Sequence, residues 1–565
     1  MVIRIYFAAA CMVMITAGIA ARLGYLSLVE KEFLQGQGDA RAIRMELINA
    51  HRGTIWDSRG KPLAVSSPVI SLWANPKEIS RNWESPEKAN RNMDKVVQLA
   101  KFLGITAAEL MQRMENARDR DFVYLVRRLP PPVARRILSL DLGGVFEEKE
   151  YHRYYPTGEV TAHLLGINDI EDRGQEGLEL SFNKRLSGSP GRMKVLKDRN
   201  GGIVRELMLV DDARPGQDLK LSIDLRVQYH AYRELKTAIS HLGAKSGSIV
   251  ILDVTTGQVL SMVNQPSFNP NNRKKLSIDA VKNRAVTDRF EPGSTVKPLT
   301  VAVALQSGYP IDTEINTSPG ELIVGKFTVR DPRDYGVLDL RRVIAKSSQV
   351  GISKLALKLD AEEVWEMSRQ VGFGQSTGSG FPGESSGILP NHSRWSDIER
   401  VTFAYGYGLM VTPLQLAGAY QVIASGGIKR DISLLHEGAV KETRVLDENI
   451  ANSLRMMLKS VVTEGTATRA AIPGYQVAGK TGTVRKMGEN GYVDNRHLAF
   501  FVGMIPAEDP KLVGVVLVNE PGTKAYGGGA VAAPIFSRVM AGTLRLLGVP
   551  PDLPVADFSS KRGHG

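Results

Sequence analysis

Between Arg4 and Arg22 the chain carries seventeen residues without a charge, IYFAAACMVMITAGIAA, and it stays apolar through Leu23 to Leu28. A helix of about 25 residues, rising 1.5 Å per residue, is long enough for a bilayer core of roughly 30 Å. The spacing predicts a membrane-spanning helix within residues 1–30. A cleaved signal peptide is the alternative, because small residues lie around Gly18 to Ala21. The segment runs on apolar past that point, and VEKEF then reads as the start of a helix, which favours an uncleaved anchor. No other stretch reaches eighteen apolar residues, so the expectation is a single-pass protein whose mass lies beyond the helix.

The remainder is long enough for two to four domains. Hydrophobic residues make up 43% and charged residues 23%, which excludes wholesale disorder. Lys and Arg number 72 against 60 for Asp and Glu, and the net charge of +12 suits a membrane surface or an anionic polymer. No basic–aromatic stripe accompanies it, so nucleic-acid binding is rejected. The lone Cys11 excludes an intramolecular disulfide and any cysteine-based zinc site, and the nine histidines show no metal spacing.

Apolar residues at helical spacing predict a helix over Glu87 to Leu103, and Arg118 to Leu138 reads as a strand followed by a helix starting at its prolines. Residues 31–215 thus form an irregular α+β module. From about 216 the pattern changes: an amphipathic helix ends near Ile239, and Ser248–Val254, Thr255-Thr256-Gly257 and Gln258–Asn264 form a hairpin. His497–Pro506 and Lys511–Pro521 repeat the apolar strand pattern, and Ala533–Gly548 closes with a helix. An α+β domain over 216–554, an antiparallel sheet with flanking helices, and a disordered tail over 555–565 complete the expectation.

Three segments could carry chemistry. In EPGSTVKP, Ser294 and Lys297 are three apart and share one helix face, behind Pro292 and Gly293, which suit a helix start. A serine hydroxyl needs a base to become a nucleophile, and a desolvated neutral lysine can serve. The same spacing at Ser58, Ser85 and Ser181 reads as surface coincidence. In AGKTGT, just before the late strands, Lys480 supplies positive charge, Thr481 and Thr483 offer donors, and Gly482 allows close backbone approach. Between them lies AKSSQVGISKLAL, with Ser347-Ser348-Gln349 expected just inside an amphipathic helix. The formal G-x-S-x-G at Gly374–Gly378 sits in a Gly-rich loop and lacks the strand and helix that a nucleophile elbow needs. Tyr405 and Tyr407 are expected to shape a helix start near the site, and the glycines of Lys524–Pro534 a mobile loop beside it.

Serine-x-x-lysine, serine-x-amide and lysine-threonine-glycine, in that order, resemble the penicillin-binding protein and serine β-lactamase superfamily. HRGTIWDSRGKPLA, NQPSFNPNNR, NRAVTDRFEPGSTVKP, KSSQVGISKLAL and AYGYGLMVTPLQLAGAY, with the anchor, narrow the resemblance to class B penicillin-binding proteins of septal type. It covers the chain from the anchor to about Pro554.

The resemblance implies a D,D-transpeptidase that cross-links peptidoglycan at the division septum, without cofactor or metal. Its implied setting is the bacterial inner membrane, with the catalytic domain in the periplasm. Ser294 would attack the D-Ala-D-Ala carbonyl of a stem peptide with Lys297 as general base, and Ser347 would pass a proton toward the leaving amine. The backbone N–H groups of Ser294 and Thr483 would form the oxyanion hole, and Lys480 and Thr481 would hold the substrate carboxylate. β-Lactams would acylate the same serine. The implied partners are a SEDS-type glycosyltransferase and other division proteins, with residues 31–215 as a pedestal and docking or dimerisation-type module. Gln349 departs from the family's usual Asn, moving the amide by about 1.5 Å, and 1 Å of misplacement can cost roughly 100-fold in rate. An active enzyme with altered selectivity is the favoured reading; a scaffold or β-lactam sensor with a degenerate site is the rival.

Overall fold

The computed structural model describes residues 2–33, 42–83, 86–197, 203–274, 276–391, 394–438, 440–488, 491–522 and 526–553. The expected tail at 555–565 and Lys524 and Ala525 of the expected loop lie outside them; from Gly528 onward that stretch is helix, not loop. The apolar amino-terminal segment is one helix, α1 (Val2–Leu28), with no buried residue and a mean hydropathy of 2.0. Its 27 residues extend about 40 Å, enough to cross a bilayer core.

The chain divides into two compact units, the first comprising residues 1–53, 66–153 and 187–217, and the second 54–65, 154–186 and 218–565. In the first, Ile43–Ile48 and Ile203–Asp211 flank Gly191–Lys197 in a three-stranded sheet. The long strand Pro62–Ala74, most of it in this unit, pairs antiparallel with Val123–Leu129. The expected helices are Pro86–Leu103 and Pro131–Leu138, the latter with proline in its first turn, where the missing N–H costs nothing. Helix Ala107–Glu115 starts at a capping box between Thr106 and Glu109. Leu72, Leu99, Leu110 and Ile137 are the centre of this unit's core.

The second unit is built on five antiparallel strands: β1 (Ser246–Asp253), β2 (Val259–Gln265), β3 (Ala478–Gly488), β4 (Gly491–Ile505) and β5 (Leu512–Asn519). Their order is β2-β1-β5-β4-β3, so β3 is an edge. The turn from β1 to β2 forms because Asp253 Oδ1 accepts the N–H groups of Thr255 and Thr256 at 2.8 and 2.9 Å, and Gly257 supplies φ +71°. Ile249 to Leu252 and Leu512 to Val518 are buried without alternation, which requires cover on both faces. Helices α2 (Leu225–Leu242) and α8 (Gly528–Leu547) pack on the sheet, α6 (Pro413–Ala424) also packs against β1 and β5, and α7 (Glu448–Thr463) packs against β3. Although α8 is long and apolar enough to span a membrane, 56% of its apolar window is buried, and it is a core helix.

Candidate active site

Ser294 lies in a 3₁₀ turn, Gly293–Val296, that runs directly into α3 (Lys297–Gln306). Gly293 has φ +50°, and its N–H donates to Gly406 O at 3.0 Å. A Cβ on Gly406 would sit 2.1 Å from Gly293 O, so only glycine permits this approach. Tyr420 Oη donates to Thr295 O at 2.8 Å, fixing the turn from α6. Ser294 is half-buried, and its hydroxyl makes no hydrogen bond among the described residues.

The Ser347 segment corrects one expectation. It lies at the break between α4 (Leu340–Lys346) and α5 (Gln349–Ala356), not inside a helix. Ser347 takes the left-handed conformation, φ +57°, which costs a non-glycine residue about 1–2 kcal/mol. Ser348 caps α5 and is held by Asp331, whose Oδ2 accepts its hydroxyl at 2.5 Å. Asp331 Oδ1 accepts the Gln349 N–H at 2.5 Å and the Val350 N–H at 3.3 Å. One half-buried carboxylate thus holds the first turn of α5, where partial positive charge favours it. Sequence reasoning missed Asp331. Its only sequence signal is a position just after the strand Phe327–Arg330, seventeen residues from Ser348. The Gln349 amide makes no hydrogen bond among the described residues.

AGKTGT, expected just before the late strands, opens β3, itself a strand of the same sheet. Lys480 and Thr481 pair with Val502 and Phe501, and Gly482 and Thr483 with Phe500 and Ala499. A Cβ on Gly482 would lie 2.0–2.6 Å from the Phe500 ring, so its glycine is required by packing across the ladder. Thr481 Oγ1 meets Thr466 Oγ1 at 2.9 Å, and Thr483 Oγ1 accepts the Gly528 N–H at 2.9 Å, fastening the edge strand to the start of α8.

These elements converge on one hydroxyl. Lys297 Nζ donates to Ser347 O at 2.6 Å and lies 3.3 Å from Ser347 Oγ; Lys480 Nζ donates to the same Oγ at 2.9 Å. Both lysine side chains are fully buried. Burial drives the Lys297 ammonium well below the ordinary lysine range, and the charge of Lys480 adds to the effect, with Asp331 opposing weakly. Burial lowers Lys480 to about 7. Burial pushes both lysines toward the neutral form, and their mutual repulsion disfavours holding both charges at once. The structure therefore brings Lys297, Ser347 and Lys480 together, while no hydrogen bond links Lys297 directly to Ser294.

A second contact ties the nucleophile turn to the β3–β4 hairpin. Tyr492 Oη donates to both oxygens of the buried Glu291, at 3.1 and 2.9 Å, and Gly408 N–H donates to Oε1 at 3.2 Å. Burial raises the Glu291 carboxyl above its usual range. Tyr405 ends the helix Asp397–Ala404, contrary to the expectation of a helix start. Gly406 and Gly408 follow with φ +91° and +79°, which a helix cannot continue. The Gly374–Gly378 run is a loop, with Ser376 donating to Glu384 Oε2 at 3.3 Å, and is no elbow.

Residues 247–541 match the penicillin binding protein transpeptidase domain, and residues 47–221 the penicillin-binding protein dimerisation domain. The chain is 41% identical over 543 residues to the probable peptidoglycan D,D-transpeptidase PbpC of Pseudomonas aeruginosa, covering 96% of this chain and 94% of that one. It is 41% identical over 546 residues to the peptidoglycan D,D-transpeptidase FtsI of Escherichia coli K12, covering 96% and 91%. The crystal structure of a peptidoglycan synthetase from Bifidobacterium adolescentis superposes with a TM-score of 0.71 at 27% identity, over 91% of this chain and 98% of that one.

Proposed function

The chain belongs to the penicillin-binding protein transpeptidase family, and on that premise we propose how its residues divide the work of cross-linking. It is a serine-type peptidoglycan D,D-transpeptidase anchored by α1, and its reaction joins stem peptides at the division septum. Its catalytic domain works on the periplasmic side of the inner membrane, beside a SEDS-type glycosyltransferase and other division proteins.

Ser294 Oγ attacks the carbonyl between the two terminal D-alanines of a donor stem peptide. The neutral Lys297 amine takes the hydroxyl proton once substrate tightens contacts that are loose in the free enzyme. The C–N bond breaks, free D-alanine leaves with a proton passed through Ser347, and an ester on Ser294 remains. The amine of a second stem peptide then attacks that ester, forming the cross-link and restoring the serine. Lys480, with Thr481, holds the substrate carboxylate. The N–H groups of Ser294 and Thr483 stabilise the oxyanion, and the open edge of β3 lets the peptide lie along it as an added strand. Gln349 donates its amide to the substrate.

The observation that carries this reading is the convergence of two fully buried lysines on the Ser347 hydroxyl, with burial pushing Lys297 toward its neutral form. A fold that needed only stability gains nothing from that arrangement. The test is intact-mass analysis of the full chain after exposure to a fluorescent penicillin, alongside Ser294→Ala. A single covalent adduct that Ser294→Ala abolishes is expected. An adduct that survives the substitution, or none on folded wild-type protein, would overturn the assignment and favour a scaffold role.

A further inference from the structure

Away from the transpeptidase motifs, Gln375, Ser376 and Thr377 form one rim of a cavity of about 480 Å³. The short strands Ile428–Arg430 and Glu442–Arg444 form another. Five basic residues line it, Arg369, Lys429, Arg430, Lys441 and Arg444, against one acid, Asp431. Glu366 neutralises Arg369 at 2.6 Å and Glu442 neutralises Arg430 at 2.8 Å; Glu384 sits behind the Ser376–Thr377 rim, so the excess of cations is concentrated on the opposite side, at Lys429, Lys441 and Arg444.

Lys429 is the centre of that excess. It is half-buried, and among the described residues no carboxylate lies within 4.0 Å of its ammonium. Its one hydrogen bond, to Gln375 Oε1, is stretched to 3.5 Å. Gln375 is itself fixed, donating to Arg369 O at 3.2 Å and accepting from the buried Gln415 amide at 2.8 Å on its backbone carbonyl. Gly372, at φ +108°, leaves open the space where a Cβ would lie 3.4 Å from the ammonium. Burial holds Lys429 below the ordinary lysine range; Asp431 pulls it up, while Arg369 and Lys441 push it down. Gathering cations around a half-buried, unpaired ammonium destabilises a fold, unless something negative sits among them.

We propose that this cavity is a binding site for a doubly charged oxyanion of the phosphate class, seated on Lys429 and approached by Lys441. Lys429, Lys441 and Arg444, with no carboxylate within 4.0 Å of any of the three among the described residues, supply the cations such an anion needs, and the volume leaves room for whatever group carries it. Lysine ammoniums act as point charges for phosphate without requiring the planar fork that Arg369 has already committed to Glu366.

Calorimetric titration of the full chain with inorganic pyrophosphate at about pH 6, where it is chiefly the dianion, tests this. Saturable binding is expected, weakened at least about tenfold by Lys429→Gln and by raising ionic strength. Lys441→Gln, on an exposed residue, should weaken it less and guards against a folding defect in the first variant. Labelling of Ser294 by a fluorescent penicillin should be unchanged in both, which shows that the fold is intact. Equal binding by wild type and Lys429→Gln, or no binding at about 10 mM pyrophosphate, overturns the site. Glutarate binding as tightly as pyrophosphate would overturn the phosphate class in favour of a dicarboxylate.

Discussion

The two walls of the cleft each bring one fully buried lysine to Ser347, and they are built in opposite ways. The strand wall is regular: Lys480 and its neighbours are held by an unbroken antiparallel register from Ala478 to Arg485, with Phe500 filling the space beneath Gly482. The helical wall is irregular. Ser294 sits in a 3₁₀ turn, Ser347 in a left-handed link, and both depend on isolated polar or glycine contacts, Asp331 at one and Gly406 and Tyr420 at the other. The difference separates two tasks. Binding a carboxylate needs a rigid, fixed charge, which a sheet edge supplies. Moving a proton needs groups placed at angles that regular structure does not provide.

The largest effect expected from this division is at Lys297. Lys297→Ala should lower the acylation rate constant on the order of 10³-fold while leaving the initial binding of penicillin nearly unchanged. Lys480→Ala should chiefly weaken binding. Stopped-flow acylation separates the two constants, and equal losses in the same constant would erase the distinction between the walls.

The pH profile sharpens it. Lys297 must be neutral to accept a proton, so acylation rises with pH through its lowered pKa. Lys480 must be charged to hold a carboxylate, so kcat/KM for the free enzyme falls as pH passes about 7. Lys480→Arg keeps its charge at any working pH and should remove the alkaline limb. An alkaline limb that survives Lys480→Arg would assign it to another group.

The strand wall was also the more legible one in the sequence. Apolar runs such as His497–Pro506 and Lys511–Pro521 announce the buried neighbours of the edge, although AGKTGT, with Ala478 its one apolar residue, does not itself announce the strand that carries Lys480. The helical wall was legible only as motifs. Ser294 and Lys297 stand three apart, and their relation follows from helical geometry. Ser347 does not: a run of KSSQVGISKLAL has helical periodicity on both sides, and nothing in it marks the left-handed residue that splits it. That residue is imposed by tertiary contact with two lysines from distant segments. Asp331 was invisible for the same reason, since a carboxylate that caps a helix seventeen residues further on leaves no local pattern.

Asp331→Asn comes next in size. The substitution keeps a carbonyl oxygen for one backbone N–H but removes the charge that holds three donors, at a cost of about 1–3 kcal/mol. Acylation should slow about tenfold, with initial binding nearly constant, because the Ser347 link is loosened while β3 is untouched. Thermal unfolding and acylation kinetics check the two parts together. A loss of stability with unchanged kinetics would make Asp331 a cap and nothing more.

Gln349→Asn should be the smallest and the most informative change. The backbone of residue 349 is pinned by Asp331, and its side-chain amide makes no hydrogen bond among the described residues, so shortening it costs the fold little. Unfolding should therefore be unchanged within about 0.5 kcal/mol. The amide head retreats by one methylene, which should alter acylation by about three- to tenfold and by different factors for penicillins with different side chains. Uniform change across substrates would mean that the amide acts on the common acyl centre, whereas substrate-dependent change would place it against the variable group. No change for any penicillin would show that the helical wall does not use this amide at all, and the cleft's selectivity would then rest on the rigid strand wall alone.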